Sequence, residues 1–211
     1  MLTGQMMIAD DRIVICGSAG ISDKSLVGDQ DSEVAMLIED YTPILSVMDN
    51  KTYTASRFAA SLRRELFRKH LGLLPAQDPQ NVTANSEPVG VPNTFDIDAP
   101  ESRLVADPLA DTFTSLWNSR AKTNTEVFRK VFHVVPDDSV RDWGTYKEFH
   151  AYLFHAVETH RGVVPARHRY GHVVGDDFPS GPEGVQQVKE LLSQVKGSLV
   201  EMPLMFLIQE F

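Results

Sequence analysis

The chain has 211 residues, 42% of them hydrophobic, and a formal net charge of −9. That length and apolar content suffice for one large domain or two small ones with a buried core. The acidic balance argues against a nucleic-acid-binding protein, because such proteins usually carry a basic face that neutralises phosphates. The single cysteine, Cys16, excludes an intramolecular disulfide and a cysteine metal cluster.

Membrane-spanning and secretory segments are not indicated by the sequence. No stretch approaches the ~20 apolar residues that a spanning helix needs. The first residues also lack the basic start and the long apolar region of a secretory signal. The sequence therefore predicts a protein without a transmembrane segment, in a cytoplasmic location.

The first predicted elements are three short apolar strands. Residues 5–9 and 12–16 are separated by an Asp-Arg corner, which predicts a hairpin or two consecutive sheet strands, and residues 33–39 form a third run. Their apolar character is nearly continuous, which is typical of strands covered on both faces. The predicted fold class is therefore α/β, with a layered sheet flanked by helices.

The clearest predicted helix covers residues 56–70, where apolar side chains recur every four residues at Phe58, Leu62 and Leu66. Gly72 follows at a position where a helix would stop. Basic residues surround the apolar stripe: Arg57, Arg63, Arg64, Arg68 and Lys69. We interpret them as the solvated face of the helix, in preference to a lipid- or phosphate-binding patch.

The rest of the chain alternates between loops and amphipathic segments. Residues 75–104 contain five prolines, which predicts a loop or a poorly ordered insertion. Helical periodicity follows over 107–122, over a shorter segment at 126–132, and again over 185–195. The last of these leads into a predicted strand over 198–209 that a proline interrupts.

The histidine-rich segment does not predict a metal site. It contains His150, His155, His160, His168 and His172. Only the last two have the spacing that places two imidazoles on one helix face, and nearby proline and glycine disfavour a helix there. We therefore expect solvated loop histidines and no bound metal. Hydrolase-elbow, Walker and dinucleotide-binding motifs are missing from the sequence as well.

The opening of the chain carries the remaining candidate for chemistry. Asp10 is followed by six residues and then by Gly17 and Ser18. Taken alone, the aspartate is typical of a polar corner between strands and the glycine-serine pair of a simple turn. The chain continues as ISDKSLVGDQDSEVAMLIED over 21–40, a stretch that includes Glu33.

This pattern resembles the second catalytic motif of the phospholipase D superfamily, His-x-Lys-x4-Asp-x6-Gly-Ser-x-Asn, and the segment that follows it in eukaryotic members. Four later segments, at 57–72, 107–113, 118–143 and 196–211, resemble the C-terminal region of eukaryotic, particularly fungal, phospholipase D. The resemblance covers essentially the whole chain. It implies a single partial domain over 1–211, the C-terminal catalytic lobe, which is incomplete without an N-terminal lobe that carries the first motif.

The resemblance also implies a reaction. In this family two such motifs converge on one phosphodiester, such as that of phosphatidylcholine, which is hydrolysed to phosphatidate and choline. One histidine attacks phosphorus and forms a phosphohistidine, while the other protonates the departing alcohol. Lysines, with the serine and asparagine of the turn, hold the phosphoryl oxygens. Neither a metal nor another cofactor is needed.

Carried onto this sequence, the motif lacks its reactive groups. Thr3 occupies the histidine position, Gln5 the lysine position and Gly20 the asparagine position. Removing a catalytic nucleophile or its partner can lower the rate by a factor on the order of 10⁶. We therefore expect the isolated chain to be catalytically deficient.

Other residues of the motif are retained. The resemblance assigns supporting catalytic roles to Asp10 and Glu33, and a phosphate-binding role to Gly17 and Ser18. In the family this aspartate supports the histidine and does not itself break bonds.

Three roles remain open at this point. The first is a separately encoded or truncated lobe with inherited fold and lost chemistry, which binds phospholipid only when an N-terminal lobe complements it. The second is a regulatory module that pairs with a catalytic N-terminal half or competes for that pairing, and the third is an active enzyme whose whole catalytic centre comes from a partner chain. A mispredicted gene model is a further alternative. In the first two cases we expect an exposed apolar surface beside Gly17 and Ser18, and self-association or pairing. The resemblance also allows peripheral contact with membranes.

Overall fold

The computed structural model describes residues 5–29, 31–74, 100–132, 141–147, 157–159, 162–164, 178–179 and 181–202. The chain divides into two compact units, Met1–Leu116 and Trp117–Phe211. Antiparallel sheets and helices make up both, which confirms the predicted mixed α/β class.

The predicted strand pair at the start of the chain is confirmed as a hairpin. Strands β1 (Gln5–Ala9) and β2 (Ile13–Gly17) are antiparallel, and β3 (Ala35–Glu39) pairs with the other edge of β2. Between β1 and β2, Asp10 and Asp11 adopt left-handed conformations with φ of 52° and 51°. Aspartate tolerates this conformation better than most residues, so the doublet suits the turn.

The prediction that these strands are covered on both faces is wrong. Met7 and Leu37 lie in one cross-strand row on one face and are 57% and 62% exposed. On the other face Val14 is fully buried, yet Met36 is 58% exposed. Apolar side chains on both faces of this sheet are therefore exposed, although the sequence of the strands is almost continuously apolar.

A second hairpin was not predicted from the sequence. Strands β4 (Pro43–Met48) and β5 (Lys51–Ser56) are joined by Asp49 and Asn50, whose φ values are 55° and 58°. Two residues with positive φ form the loop whose twist matches that of a hairpin. The carboxylate of Asp107 accepts hydrogen bonds from the backbone N–H groups of Asp49, at 3.0 Å, and Asn50, at 2.7 Å.

The predicted helix at 56–70 is confirmed. After a short helix α1 (Asp23–Leu26), helix α2 runs over Arg57–Leu71 and ends at Gly72, which is left-handed with φ of 68°. At its start, the Phe58 N–H donates to the carboxylate of Asp40 at 2.8 Å. Asp40 thereby supplies the N-terminal cap that the side chain of Ser56 does not provide.

Three of the basic residues on α2 correct the prediction of a solvated face. Arg63, Arg64 and Arg68 are 6%, 4% and 4% exposed. Arg63 forms two hydrogen bonds with the Asp11 carboxylate, at 2.6 and 2.8 Å, and donates to two backbone carbonyls at 2.7 and 2.9 Å. Arginine is stable in the interior when its donors are paired in this way.

Two further predictions need correction. Residues 75–99 of the predicted loop lie outside the described residues, but its last five residues form helix α3 (Pro100–Leu104). The two helices predicted at 107–122 and 126–132 are one helix, α4 (Asp111–Phe132). The polar stretch that separated them in the sequence contains Asn124, which is fully buried and lies on the inner face of the helix.

The second unit contains a hairpin and the last helix. Strands β6 (Val157–Thr159) and β7 (Gly162–Val164) are antiparallel. Helix α5 (Pro182–Leu192) confirms the last predicted helix, with bounds about three residues earlier. Residues 198–202 do not form the start of the predicted strand, and the rest of that strand, like the five clustered histidines, lies outside the described residues.

Asn124 ties two segments of this unit together. Its amide nitrogen donates to the carbonyls of Lys196, at 2.9 Å, and Leu199, at 2.8 Å, and its oxygen accepts the Lys196 N–H at 3.1 Å.

Among the helices that the structure describes, none is long and apolar enough to cross a bilayer.

Candidate functional site

The β1–β2 hairpin separates the predicted site residues into two groups. Gln5 lies opposite Gly17 in the strand register. Asp10 lies in the turn at the other end of the same hairpin. Five-residue strands with a rise of about 3.4 Å per residue put these two ends roughly 15 Å apart. Thr3 lies outside the described residues.

Gly17 and Ser18 form the start of a turn that is bound closely to β3. A Cβ atom at Gly17 would overlap the Val34 carbonyl oxygen and lie 2.6 Å from the Ala35 Cα. The Ser18 N–H donates to the Val34 carbonyl at 3.0 Å, and its hydroxyl accepts the Val34 N–H at 3.2 Å. Glycine at 17 is therefore required by the close approach of two backbones.

Glu33 is held by hydroxyl groups beside this turn. The Ser25 hydroxyl donates to the Glu33 carboxylate at 2.7 Å and accepts the Gly20 N–H at 3.2 Å. Hydrogen bonds from Ser18 and Ser25 lower the pKa of the Glu33 carboxyl. The structure thus brings the predicted residues Ser18 and Glu33 together and shows a third, Ser25, that was not predicted. Its position in the Ile-Ser-Asp-Lys-Ser segment, which carries the family resemblance, could have identified it from the sequence.

Gln5 extends over the same turn. A Cβ atom at Gly20 would lie 2.5 Å from the Nε2 atom of Gln5. The two positions to which the resemblance assigns lysine and asparagine are therefore neighbours in space. In this chain position 5 carries a neutral carboxamide and position 20 has no side chain. Phosphate binding is favoured by positively charged groups and hydrogen-bond donors.

At the Asp10 end of the hairpin, side chains from β5 and α2 hold the turn in place. The Asp10 carbonyl accepts a hydrogen bond from the Tyr53 hydroxyl at 2.8 Å. The neighbouring Asp11 is the buried carboxylate, 2% exposed, and it pairs with Arg63. The burial of Asp11 was not predicted from the sequence, because only the fold shows which of the two aspartates contacts Arg63 of α2. The supporting catalytic role of Asp10 stays a prediction.

Exposed apolar side chains lie within the Gly17–Glu33 segment and directly after it. Ile21, Leu26, Val27 and Val34 are between 60% and 96% exposed. Monomeric proteins seldom leave such side chains clustered in water. These exposed side chains are in keeping with the predicted apolar surface beside Gly17 and Ser18, whose role in docking stays a prediction.

A cavity of about 450 Å³ lies between β1 and α2. It is lined by Met6, Ile8, Arg63, Leu66, Phe67 and His70. Since side chains alternate along a strand, Met6 and Ile8 project to the face opposite Gln5. The cavity is therefore separate from the Gly17–Gly20 turn.

Within the described ranges, no three histidine, cysteine, aspartate or glutamate side chains form a metal-binding group.

Comparisons with known proteins give a consistent answer. The family model described as phospholipase D matches residues 1–87. Phospholipase D zeta 1 of Arabidopsis thaliana is 33% identical over 98% of this chain and 16% of its own length. Phospholipase D1 of Mus musculus is 32% identical over 98% of this chain and 15% of its own length. Phospholipase D of Phytophthora infestans is 37% identical over 65% of this chain and 6% of its own length.

The chain thus belongs to the phospholipase D family. It corresponds to a C-terminal part of a phospholipase D, and spans about 16% of the length of the first of these relatives.

Proposed function

We propose that this chain is a phospholipase D C-terminal lobe whose phosphodiester motif has lost its reactive groups, so that the isolated chain does not hydrolyse phosphatidylcholine. The observation that carries the proposal is the position of Gln5, opposite Gly17 and beside Gly20. In the family a lysine at this position would bring a positive charge to the phosphoryl oxygens. A neutral carboxamide donates hydrogen bonds but does not supply that charge.

The retained residues form a frame without a nucleophile. Ser18 and Ser25 orient Glu33, and hydrogen bonds from both hydroxyls lower its pKa. A carboxylate with a lowered pKa is ionised at neutral pH, so it supports or repels neighbouring charge and does not act as the acid that protonates an alcohol. Threonine at position 3 becomes a nucleophile only beside a base. Removing a catalytic nucleophile or its partner lowers the rate by a factor on the order of 10⁶, and Thr3 stands at the histidine position here.

A second role, as a non-catalytic module that pairs with an N-terminal lobe, is favoured by the exposed surface. Apolar side chains are exposed both on the sheet, at Met7 and Leu37, and beside the turn, at Ile21 and Val34. Strands β1 and β3 are the outer strands of the three-stranded sheet that the described residues form. Covering these groups would remove apolar area from water, which is the usual driving force of association. A cytoplasmic location with peripheral membrane contact fits both roles.

The test compares phosphatidylcholine hydrolysis and headgroup transfer to ethanol in four preparations. These are the chain, its Thr3→His/Gln5→Lys double variant, and each of the two mixed with the N-terminal half of an active relative. We expect activity only in the mixture that contains the double variant. Turnover by the unmodified chain alone would overturn the first role.

The pairing role has its own readout in the same samples. We expect the unmodified chain to form a stable complex with the N-terminal half in sedimentation velocity, or to self-associate. A chain that stays monomeric at high concentration and binds no such half would contradict it.

A further inference from the structure

Two glycines in the candidate turn are confined by different kinds of neighbour. A side chain at Gly17 would meet backbone atoms of Val34, which is hydrogen-bonded to Ser18, and of Ala35, which pairs with Gly17 in the β2–β3 register. A side chain at Gly20 would meet only the end of Gln5: its Nε2 at 2.5 Å, Cδ at 3.4 Å and Oε1 at 3.7 Å. Neither glycine has a positive φ, so alanine can adopt the φ angle at both positions, and only the neighbouring atoms decide whether its Cβ fits.

We infer that Gln5 is a positioning residue for this turn: its carboxamide occupies the space that any side chain at position 20 requires. Positions 5 and 20 therefore form one structural unit, in which the residue at 5 decides what position 20 can present to a ligand. The inference relies on the proposed function only in treating the turn as the phosphate-facing part of the motif.

The backbone at both positions is fixed, which leaves the Gln5 side chain as the part that moves. Gln5 is held in the strand register opposite Gly17. The Gly20 N–H is held by the Ser25 hydroxyl, which is bound in turn to Glu33. A side chain added at Gly20 consequently displaces the Gln5 carboxamide and leaves the turn in place.

This unit has a consequence for any attempt to rebuild the motif. A Gly20→Asn substitution in the natural background sets the new amide against Gln5, so the two side chains compete for one position. With alanine at position 5 the competition disappears. The phosphate-facing surface of the turn is thus determined by the pair and not by either residue alone.

The test uses NMR of the ¹⁵N-labelled full chain and needs no turnover, so its outcome is independent of the proposed function. In the natural chain we expect a nuclear Overhauser contact between the Gln5 side-chain amide and the Gly20 Hα protons. In Gly20→Ala that contact is lost, the Gln5 amide signals move towards those of a solvated glutamine, and the backbone signals of β2 and β3 stay unchanged.

Gly17→Ala is the matched control in the same turn. Its clash is with backbone, so we expect shifted β2 and β3 signals and a Tm lower by about 3–9 °C. Gly20→Ala lowers Tm by less than about 2 °C, because a flexible side chain relieves the contact. In Gln5→Ala/Gly20→Ala, Tm matches that of Gln5→Ala. An unchanged Gln5 amide in Gly20→Ala, or equal damage from the two glycine variants, would overturn the inference.

Discussion

The two ends of the β1–β2 hairpin differ in what their side chains do. At one end Asp11 and Arg63 are buried, with exposed fractions of 2% and 6%. They form an ion pair with two hydrogen bonds that joins the hairpin to α2. At the other end Gln5 and Ser18 are exposed and Glu33 is half-buried. One motif therefore contains a part that stabilises the fold and a part whose side chains face solvent. The exposed Gln5 side chain at the second end can change with little effect on stability, whereas Gly17 beside it is required by its backbone contacts.

The largest expected effect is at the buried end. Replacing Asp11 with asparagine leaves the Arg63 guanidinium buried without its counter-charge, and breaking a buried pair costs about 3–5 kcal/mol. Asp10→Asn is the matched control, since asparagine tolerates the same left-handed conformation and Asp10 is exposed. Urea unfolding followed by circular dichroism measures both. Equal losses in the two variants would contradict the assignment of the buried charge to Asp11.

A similar loss of buried hydrogen bonds is expected in the second unit. Asn124→Ala removes three hydrogen bonds to the 196–199 segment and leaves buried polar groups unpaired. We expect a loss of about 2–3 kcal/mol in the free energy of unfolding. Asn118→Ala, at an exposed position of the same helix, controls for the helix propensity of alanine. If Asn118→Ala is as costly, the amide contacts do not stabilise the unit.

A smaller, pH-dependent effect is expected at the β4–β5 loop. Partial burial works to raise the pKa of Asp107, but the backbone N–H donors outweigh it and leave the pKa lowered. A lowered pKa stabilises the fold above the unfolded-state pKa, and this stabilisation disappears as the pH falls through the folded-state pKa. Asp107→Asn should therefore lower stability by about 1 kcal/mol at neutral pH and make little difference in strong acid.

The control for that pH dependence is Asp29→Asn, a change at an exposed carboxylate. We expect parallel unfolding curves for this variant and the natural chain across the acid range. An Asp107→Asn variant whose deficit is the same at neutral and acid pH would show that its carboxylate charge is not what stabilises the loop.

The smallest effect is expected at the exposed end of the hairpin. Gln5→Lys changes an exposed side chain that the buried core does not use, so stability should change by no more than about 0.5 kcal/mol. Chemical denaturation beside Asp11→Asn gives the comparison directly. A large loss from Gln5→Lys would show that the two ends of the hairpin are not separate in stability.

Sequence patterns predicted the elements whose signal is local. The apolar runs at 5–9 and 12–16 and the four-residue period of α2 require no knowledge of neighbours, and Gly72 ends α2 by its own conformational freedom. The β4–β5 hairpin was missed although Asp49 and Asn50 are residues that accept positive φ. Strand β4 shows no clear alternation of polar and apolar residues, and polar residues outnumber apolar ones in β5.

The features that were missed depend on contacts between distant segments. The burial of Arg63 requires Asp11, which lies 52 residues earlier in the chain. Similarly, the polar Asn124 lies on the buried face of α4 because a segment 72 residues away supplies its partners. The resemblance located Ser18 and Glu33, but only the fold showed that Gln5 lies against Gly20.

Whether the chain lacks phospholipase D activity of its own is tested by measuring choline release from phosphatidylcholine vesicles by the purified, unmodified chain. We predict no release above the protein-free background, while the Thr3→His/Gln5→Lys variant mixed with an N-terminal half from an active relative releases choline. Release by the unmodified chain alone, abolished when Ser18 or Glu33 is substituted, would show that the motif is active without its histidine and lysine.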